Sequence, residues 1–348
     1  VWDDMNYYYG AEISALTIND NILELSVRPG PQPGAPCELT LKPATSYLVL
    51  NNRTQTVPAG GRRSISVYRP LGQNVVYVTG TMPLNQTNYT DDVTMHNPAG
   101  LFVEFFREAL LQNGVKVTGK TRTVNWLDRA VQPLDFSALI ELGAVESKPM
   151  RELNVAVQKP SQNLYTDLML AHVGSLEREK ALAERARDPN PAAGTVVGTM
   201  SSEDYGIREL EKFLTKIGVK RNEVRFEEGS GLSRNNLTTA NATITLLESM
   251  SKHPEAKSYH DALPVAGRDG TLRNRMKGTR AEGNVHAKTG TLRWANSTSG
   301  YVTTAAGEKL AFALMLNRYI APSAEFSPRG ELDKIMVLLA DFTGRSDE

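Results

Sequence analysis

Three short strings in this sequence carry residue types that could do chemistry. The first is His286-Ala287-Lys288-Thr289-Gly290-Thr291-Leu292, at the start of a segment whose pattern turns to period two. On an edge strand, Lys288 can project a cation into a cleft, while Gly290 omits the side chain that would keep a ligand's backbone from pairing with that strand. A Lys-Thr-Gly triplet also arises by chance, and a solvated surface strand accounts for it equally well. The second string, Ser161-Gln162-Asn163, places a hydroxyl and an amide two residues apart at the mouth of a helix. Both residue types also satisfy free backbone amides at helix starts, so a plain cap is the competing reading. The third, Gly229-Ser230-Gly231-Leu232-Ser233-Arg234-Asn235, is a glycine-rich turn presenting an arginine ahead of a helix, or simply a loop.

The elements that must position these strings follow from periodicity and punctuation. Residues 13–18 and 22–27 roughly alternate around Asn19-Asp20-Asn21, which predicts a hairpin. The proline- and glycine-rich residues 29–36 predict a linker or domain junction. Short strands rich in valine, isoleucine and tyrosine are expected over 47–50, 64–69 and 75–79. Asn97 and Pro98 supply a cap and a first-turn proline for a helix that ends at Gly114. A second helix is expected from near Ser161 to Gly174, and the charge-dense residues 177–187 as a solvated helix face or loop. Amphipathic helices are predicted over 205–217 and 238–250, then strands from 285 onward, including 301–304 and 310–316, and a closing helix over 328–342.

Bulk composition narrows the class. At 348 residues two or three domains are expected. Thirty-nine basic residues balance 39 acidic ones, which removes the electrostatic reason to expect a nucleic acid or an anionic membrane as partner. The apolar runs at 310–316 and 335–340 are too short to span a bilayer, so no transmembrane segment is expected. The single Cys37 excludes an internal disulfide and a multi-cysteine metal site. His96, His172, His253, His260 and His286 show no zinc-ligand spacing, so no zinc site is expected.

Taken together and in this order, the strings resemble the class C penicillin-binding proteins, the D-alanyl-D-alanine carboxypeptidase/endopeptidase group, whose motifs are Ser-x-x-Lys, Ser-x-Asn and Lys-Thr-Gly. Ser161 and Asn163 match the second motif, and Lys288, Thr289 and Gly290 the third. The openings Trp2-Asp3-Asp4 and Tyr7-Tyr8-Tyr9-Gly10 and the string Asp269-Gly270-Thr271-Leu272 also look like that group, so the resemblance covers essentially the whole chain. Its first motif, which carries the acylated serine, should precede everything seen here. The one Ser-x-x-Lys, Ser249-Met250-Ser251-Lys252, follows the second motif and reads as coincidence. The expectation is that the serine lies in an upstream N-terminal segment supplied separately or removed, and that this chain by itself is inactive.

The resemblance implies an α/β (α+β) fold, the penicillin-recognising serine hydrolase fold, with an antiparallel sheet flanked by helices and a β-rich inserted accessory region. It implies an accessory domain over 1–38 and 84–135, a small β domain over 39–83 nested in it, and the C-terminal part of the penicillin-binding domain over 136–348. The strand at 310–316 would then lack its neighbour and associate or aggregate. By the same resemblance Ser161 relays a proton, Asn163 holds the substrate amide, and Lys288 supplies positive potential. Thr289 and Thr291 hold the terminal carboxylate and the Thr291 amide forms half of an oxyanion hole. Asp4, Tyr9, Arg234 and Leu292 would line a pocket for the side-chain end of a diaminopimelate-containing stem peptide. The implied partners are a peptidoglycan stem peptide ending in D-Ala-D-Ala and β-lactams, in a periplasmic or other extracytoplasmic location, and the resemblance implies that no metal or other cofactor is needed. A β-lactamase-like hydrolase, a non-catalytic peptidoglycan-binding scaffold and an adhesin-like β protein are the competing readings.

Overall fold

The computed structural model describes residues 2–132, 134–187, 200–323 and 325–345. The chain divides into two units, Val1–Phe136 and Ser137–Glu348. The first unit runs β1 (Ile22–Arg28), β2 (Glu38–Lys42), β3 (Val49–Val57), β4 (Ser66–Tyr68), β5 (Val75–Pro83), β6 (Tyr89–Thr94), α1 (Pro98–Gln112) and α2 (Trp126–Val131). Its strands form two sheets, ordered β2-β1-β6 and β3-β5-β4. Alternation along β1 buries Leu23, Leu25 and Val27 completely, and one core joins them to Val76, Val78 and Met82 of β5 and Leu101 of α1. Full burial of each such side chain contributes about 1.5–3 kcal/mol.

Three local expectations are corrected here. The hairpin over 13–27 does not form, although Asn19, Asp20 and Asn21 do take the left-handed turn, with φ of 52°, 52° and 57°. The buried Asn21 side chain accepts from the Ile18 amide and donates to the Glu12 carbonyl, and both edges of β1 are taken by β2 and β6, leaving 13–18 no edge to pair with. Residues 29–36 are the β1–β2 connection inside one unit rather than a junction. They are tied to β3 where the Gly30 amide donates to Thr56 Oγ1 (2.7 Å) and the Gly34 amide to the Thr56 carbonyl (2.9 Å). Asn97 does not cap α1: its amide group donates to Thr123 Oγ1, and Pro98 alone plays its expected part.

One cation is sealed inside this unit. Arg69 is 2% exposed; its Nη1 donates to the Gln73 carbonyl (3.1 Å) and its Nη2 to the Met5 carbonyl (3.1 Å) and Thr94 Oγ1 (3.2 Å). Thr94 Oγ1 donates to the same Met5 carbonyl at 2.6 Å, so the guanidinium fastens the opening segment to the sheet.

The second unit runs α3 (Met150–Gln158), α4 (Asn163–Arg187), α5 (Ser202–Lys216), β7 (Val224–Arg225), β8 (Leu237–Thr238), α6 (Ala240–Ser251), α7 (Ala256–Ala262), β9 (His286–Leu292), β10 (Ala295–Thr303), β11 (Lys309–Asn317) and α8 (Pro328–Asp341). Its main sheet is antiparallel in the order β11-β10-β9 and lies between helices. Ala287, Val302 and Phe312 face α8 and pack on Met336 and Ala340, while the Tyr301 hydroxyl on the other face donates to the Leu247 carbonyl of α6 (2.6 Å). The strand expected to lie unpaired, 310–316, pairs with β10 from Lys309 to Asn317, and its other edge meets no strand among the described residues.

Gly174, expected to end a helix, sits inside α4, which continues through the charged residues to Arg187. A Cβ at 174 would lie 1.6 Å from the Ser202 carbonyl oxygen, and one at Gly206 would lie 2.3 Å from that of Leu170. The glycines are there because the backbones of α4 and α5 touch, a packing demand that outweighs the ~1 kcal/mol propensity cost of a mid-helix glycine.

Candidate active site

The site begins in the turn between α3 and α4. Ser161 has φ of 66°, a left-handed conformation that is uncommon for a residue other than glycine. The capping part falls instead to Gln162, whose Oε1 accepts from the Leu164 amide (3.3 Å), so the plain-cap reading of Ser161 is set aside. The Ser161 hydroxyl accepts from Lys288 Nζ at 2.6 Å, across 127 residues of sequence. Asn163 is the first residue of α4, and its carbonyl accepts from Thr166 Oγ1.

Lys288 stands on β9, an edge strand of the main sheet. Its ammonium also donates to the Thr289 carbonyl (2.9 Å), and no carboxylate pairs with it among the described residues. Burial pushes its pKa down to about 8, because a partly dehydrated ammonium is disfavoured against its neutral amine. An amine poised near neutrality beside a serine hydroxyl can relay a proton through that hydroxyl to a third group. Two residues earlier, His286 stacks on His260 with ring centroids 3.9 Å apart, and burial first, then the His260 charge, lowers its pKa.

On the alternate positions of β9, Thr289 and Thr291 share the face opposite Lys288. Thr289 Oγ1 donates to Thr271 Oγ1 (2.8 Å) and Thr291 Oγ1 to Asn296 Oδ1 (3.3 Å). Thr271 is held in turn through Lys159: its amide donates to the Lys159 carbonyl (3.1 Å), and Lys159 Nζ binds both oxygens of Asp269 (2.9 and 2.8 Å) and the Leu263 carbonyl (2.6 Å). Gly270 makes this approach possible: at φ 57°, a Cβ there would lie 2.7 Å from the Lys159 carbonyl oxygen. Gly290 has a further reason besides leaving the strand open, since a Cβ there would meet Ser297 Oγ at 2.6 Å.

Arg234 is presented by a loop wound around one carboxylate. Glu228 accepts from the amides of Ser230 (2.7 Å), Gly231 (2.9 Å) and Ser233 (3.1 Å), and Asp167 of α4 accepts from the Gly229 amide (2.8 Å). Burial, followed by the Glu228 charge, raises the Asp167 pKa to about 6. Arg234 Nη1 donates to the Arg293 carbonyl (3.2 Å), directly after Leu292. The structure therefore brings Ser161 together with Lys288, Thr289 with Thr271, and Arg234 with the end of β9. Asp4 and Tyr9 belong to the first unit, where the Tyr9 hydroxyl donates to Asp4 Oδ1 (3.3 Å). Ser249 lies near the end of α6, where the ammonium of Lys252 binds Glu248 (2.6 Å).

Residue-type reasoning did not find Lys159, Thr271 or Asp167. The string 269–272 was a signal for Thr271, whereas nothing local marks a lysine whose partner is 110 residues away.

The D-Ala-D-Ala carboxypeptidase 3 (S13) family matches residues 1–188 and 191–340. The chain belongs to this family. It is 34% identical over 353 residues to a D-alanyl-D-alanine carboxypeptidase of Actinomadura sp. (strain R39), covering 98% of this chain and 60% of that protein. A penicillin-sensitive carboxypeptidase A of Dictyostelium discoideum is 24% identical, with 98% of this chain and 62% of that one covered. The chain thus spans about three-fifths of the length of these curated relatives. Penicillin binding protein 4 of Haemophilus influenzae superposes with a TM-score of 0.70 at 22% identity, over 97% of this chain and 69% of that one. The S13 chain shares that α+β, penicillin-recognising fold. Among the described residues, no helix is long and apolar enough to cross a membrane.

Proposed function

We propose that this protein is a serine-type D-alanyl-D-alanine carboxypeptidase/endopeptidase that acts outside the cytoplasm on peptidoglycan stem peptides and is inhibited by β-lactams. Membership of the S13 family supports the reading, and the observation that carries it is the 2.6 Å contact of Lys288 Nζ with Ser161 Oγ. An activated serine attacks the carbonyl between the two terminal D-alanines, the C–N bond breaks, and water releases the acyl group. The departing amine needs a proton at that moment. Ser161 delivers it, and Lys288, with its pKa near 8, replenishes the hydroxyl. Asn163 holds the substrate amide, the Thr291 amide faces the oxyanion, and Thr289 and Thr291 face the terminal carboxylate. Arg234 and Leu292, beside one another at the end of β9, contact the stem peptide's side chain. The accessory region, 1–38 and 84–135 with 39–83 nested in it, is part of the same proposal.

The test is an intact-mass measurement on the protein expressed from its complete gene, after incubation with benzylpenicillin, followed by peptide mapping. One covalent adduct on the serine of a Ser-x-x-Lys sequence other than 249–252 is expected. No adduct, or an adduct on Ser249, overturns the proposal.

A further inference from the structure

A peptide that ends in a carboxylate needs a cation on the threonine face of β9, and Lys288 is on the other face with its ammonium already bonded to Ser161 and to the Thr289 carbonyl. The first turn of α8 offers a different one. Arg329 follows Pro328 there and is exposed, and its Nη2 donates to Thr291 Oγ1 at 3.5 Å, the long end of a hydrogen bond.

The surroundings fix the backbone that carries this guanidinium and leave its charge without an ion pair among the described residues. Arg275 grips Asp333 bidentately (Nη2 to Oδ1, 2.6 Å; Nε to Oδ2, 3.2 Å) and also donates to the Arg329 carbonyl (3.3 Å), which fixes the turn. Glu331, the other acid near this turn, binds Lys334 (2.7 Å). Arg329 itself makes no ion pair among the described residues. The acceptor beneath it is held too: Thr291 lies across from Asn296 in the β9–β10 pairing, and Asn296, 6% exposed, donates to the Tyr319 hydroxyl (2.7 Å). A planar fork of donors beside the Thr291 hydroxyl, with Thr289 on the same strand face, fits a planar anion with two oxygens far better than it fits one neutral hydroxyl.

We propose that Arg329, with Thr289 and Thr291, is a substrate-binding residue that clamps the C-terminal carboxylate of the peptide. This inference rests on the peptidase reading above. It assigns to α8 a part in discriminating free-carboxylate ends, the carboxypeptidase substrate, from blocked ends.

The experiment compares Arg329→Ala and Arg329→Lys with the wild type in the intact protein, using an acylated tripeptide ending in D-Ala-D-Ala and the same tripeptide with a C-terminal amide. For Arg329→Ala the preference for the free acid, as a ratio of kcat/KM values, should fall roughly 10- to 100-fold, as expected on losing a charged hydrogen bond, with the loss in KM rather than kcat. Arg329→Lys should recover part of it. Equal losses on both peptides, or a ratio that stays the same, overturn the clamp while leaving the peptidase reading intact. A wild-type protein that cleaves neither peptide overturns the peptidase reading and the clamp with it.

Discussion

Arg69 and Lys288 are both cations taken out of water, one in each unit, and they are satisfied in opposite ways. Arg69 spends its donors on two carbonyls and a hydroxyl, all fixed in the same β-rich core, and its guanidinium stays charged at any ordinary pH. Lys288 has one hydroxyl and its neighbour's carbonyl, no counter-charge among the described residues, and a pKa pushed down to about 8. The structural cation ties three acceptors from separate segments together, leaving only its Nε without a partner among the described residues. A cation meant to exchange protons is left short of them, which lets burial bring its two protonation states close in energy.

The sharpest way to break this contrast is to remove each cation in turn. Lys288→Met should lower kcat/KM on a D-Ala-D-Ala peptide by about 10³-fold, within the range for losing a proton-transfer group, while urea denaturation shows stability unchanged or slightly raised. An equally large loss of stability would make Lys288 another structural cation. Arg69→Met should do the reverse, because the Gln73 carbonyl and the buried Thr94 hydroxyl lose their donor and the Met5 carbonyl keeps only that of Thr94. A stability loss on the order of 3 kcal/mol is expected in the same urea experiment.

Titration sharpens the comparison further. Between pH about 8 and the ordinary lysine value of 10.5, the unfolded chain keeps the Lys288 proton that the folded chain has released, so stability rises with pH across that window. Below about 8 both states are protonated and the whole penalty for burying the charge is present. The stability of wild type relative to Lys288→Met should therefore rise by on the order of 3 kcal/mol from pH 7.5 to 10.5. A flat difference curve rules out a depressed amine. The smallest effect expected is that of Asp269→Asn, which weakens the hold on Lys159. With Asp269 about half exposed, roughly 1 kcal/mol of stability and less than about tenfold in kcat/KM should be lost, since Thr271 shifts against Thr289 without leaving.

The same contrast shows what could be read without coordinates. Lys288 and Ser161 were legible as candidates because few residue types do such chemistry and the two family motifs that match come in the family's order. Strands such as 75–79 and the helix beginning at Pro98 were legible because alternation and a first-turn proline are local. Arg69 was not, since an arginine in a polar stretch gives no hint that segments as distant as Met5 and Thr94 will close over it. The helix at 150–158 went unseen because its apolar stripe, Met150, Leu153 and Val157, is short, and of these only Val157 is buried. Gly174 misled because glycine marks helix ends as well as close backbone contacts, and only the position of α5 decides between them. Arg329 was silent for the same reason as Lys159, whose partner is far along the chain.

The glycines at 174 and 206 also give α4 a fulcrum. Asn163 and Ser161 sit at the far tip of that rod, about 16 Å from the pivot at 1.5 Å per residue, and with carbonyl oxygens seated where side chains would otherwise be, the rod has almost no play. Any replacement that forces the two backbones apart at the crossing swings the tip through a larger arc than the pivot itself moves. Sequence drift far from the reacting atoms is therefore constrained by the tolerance of the catalytic end.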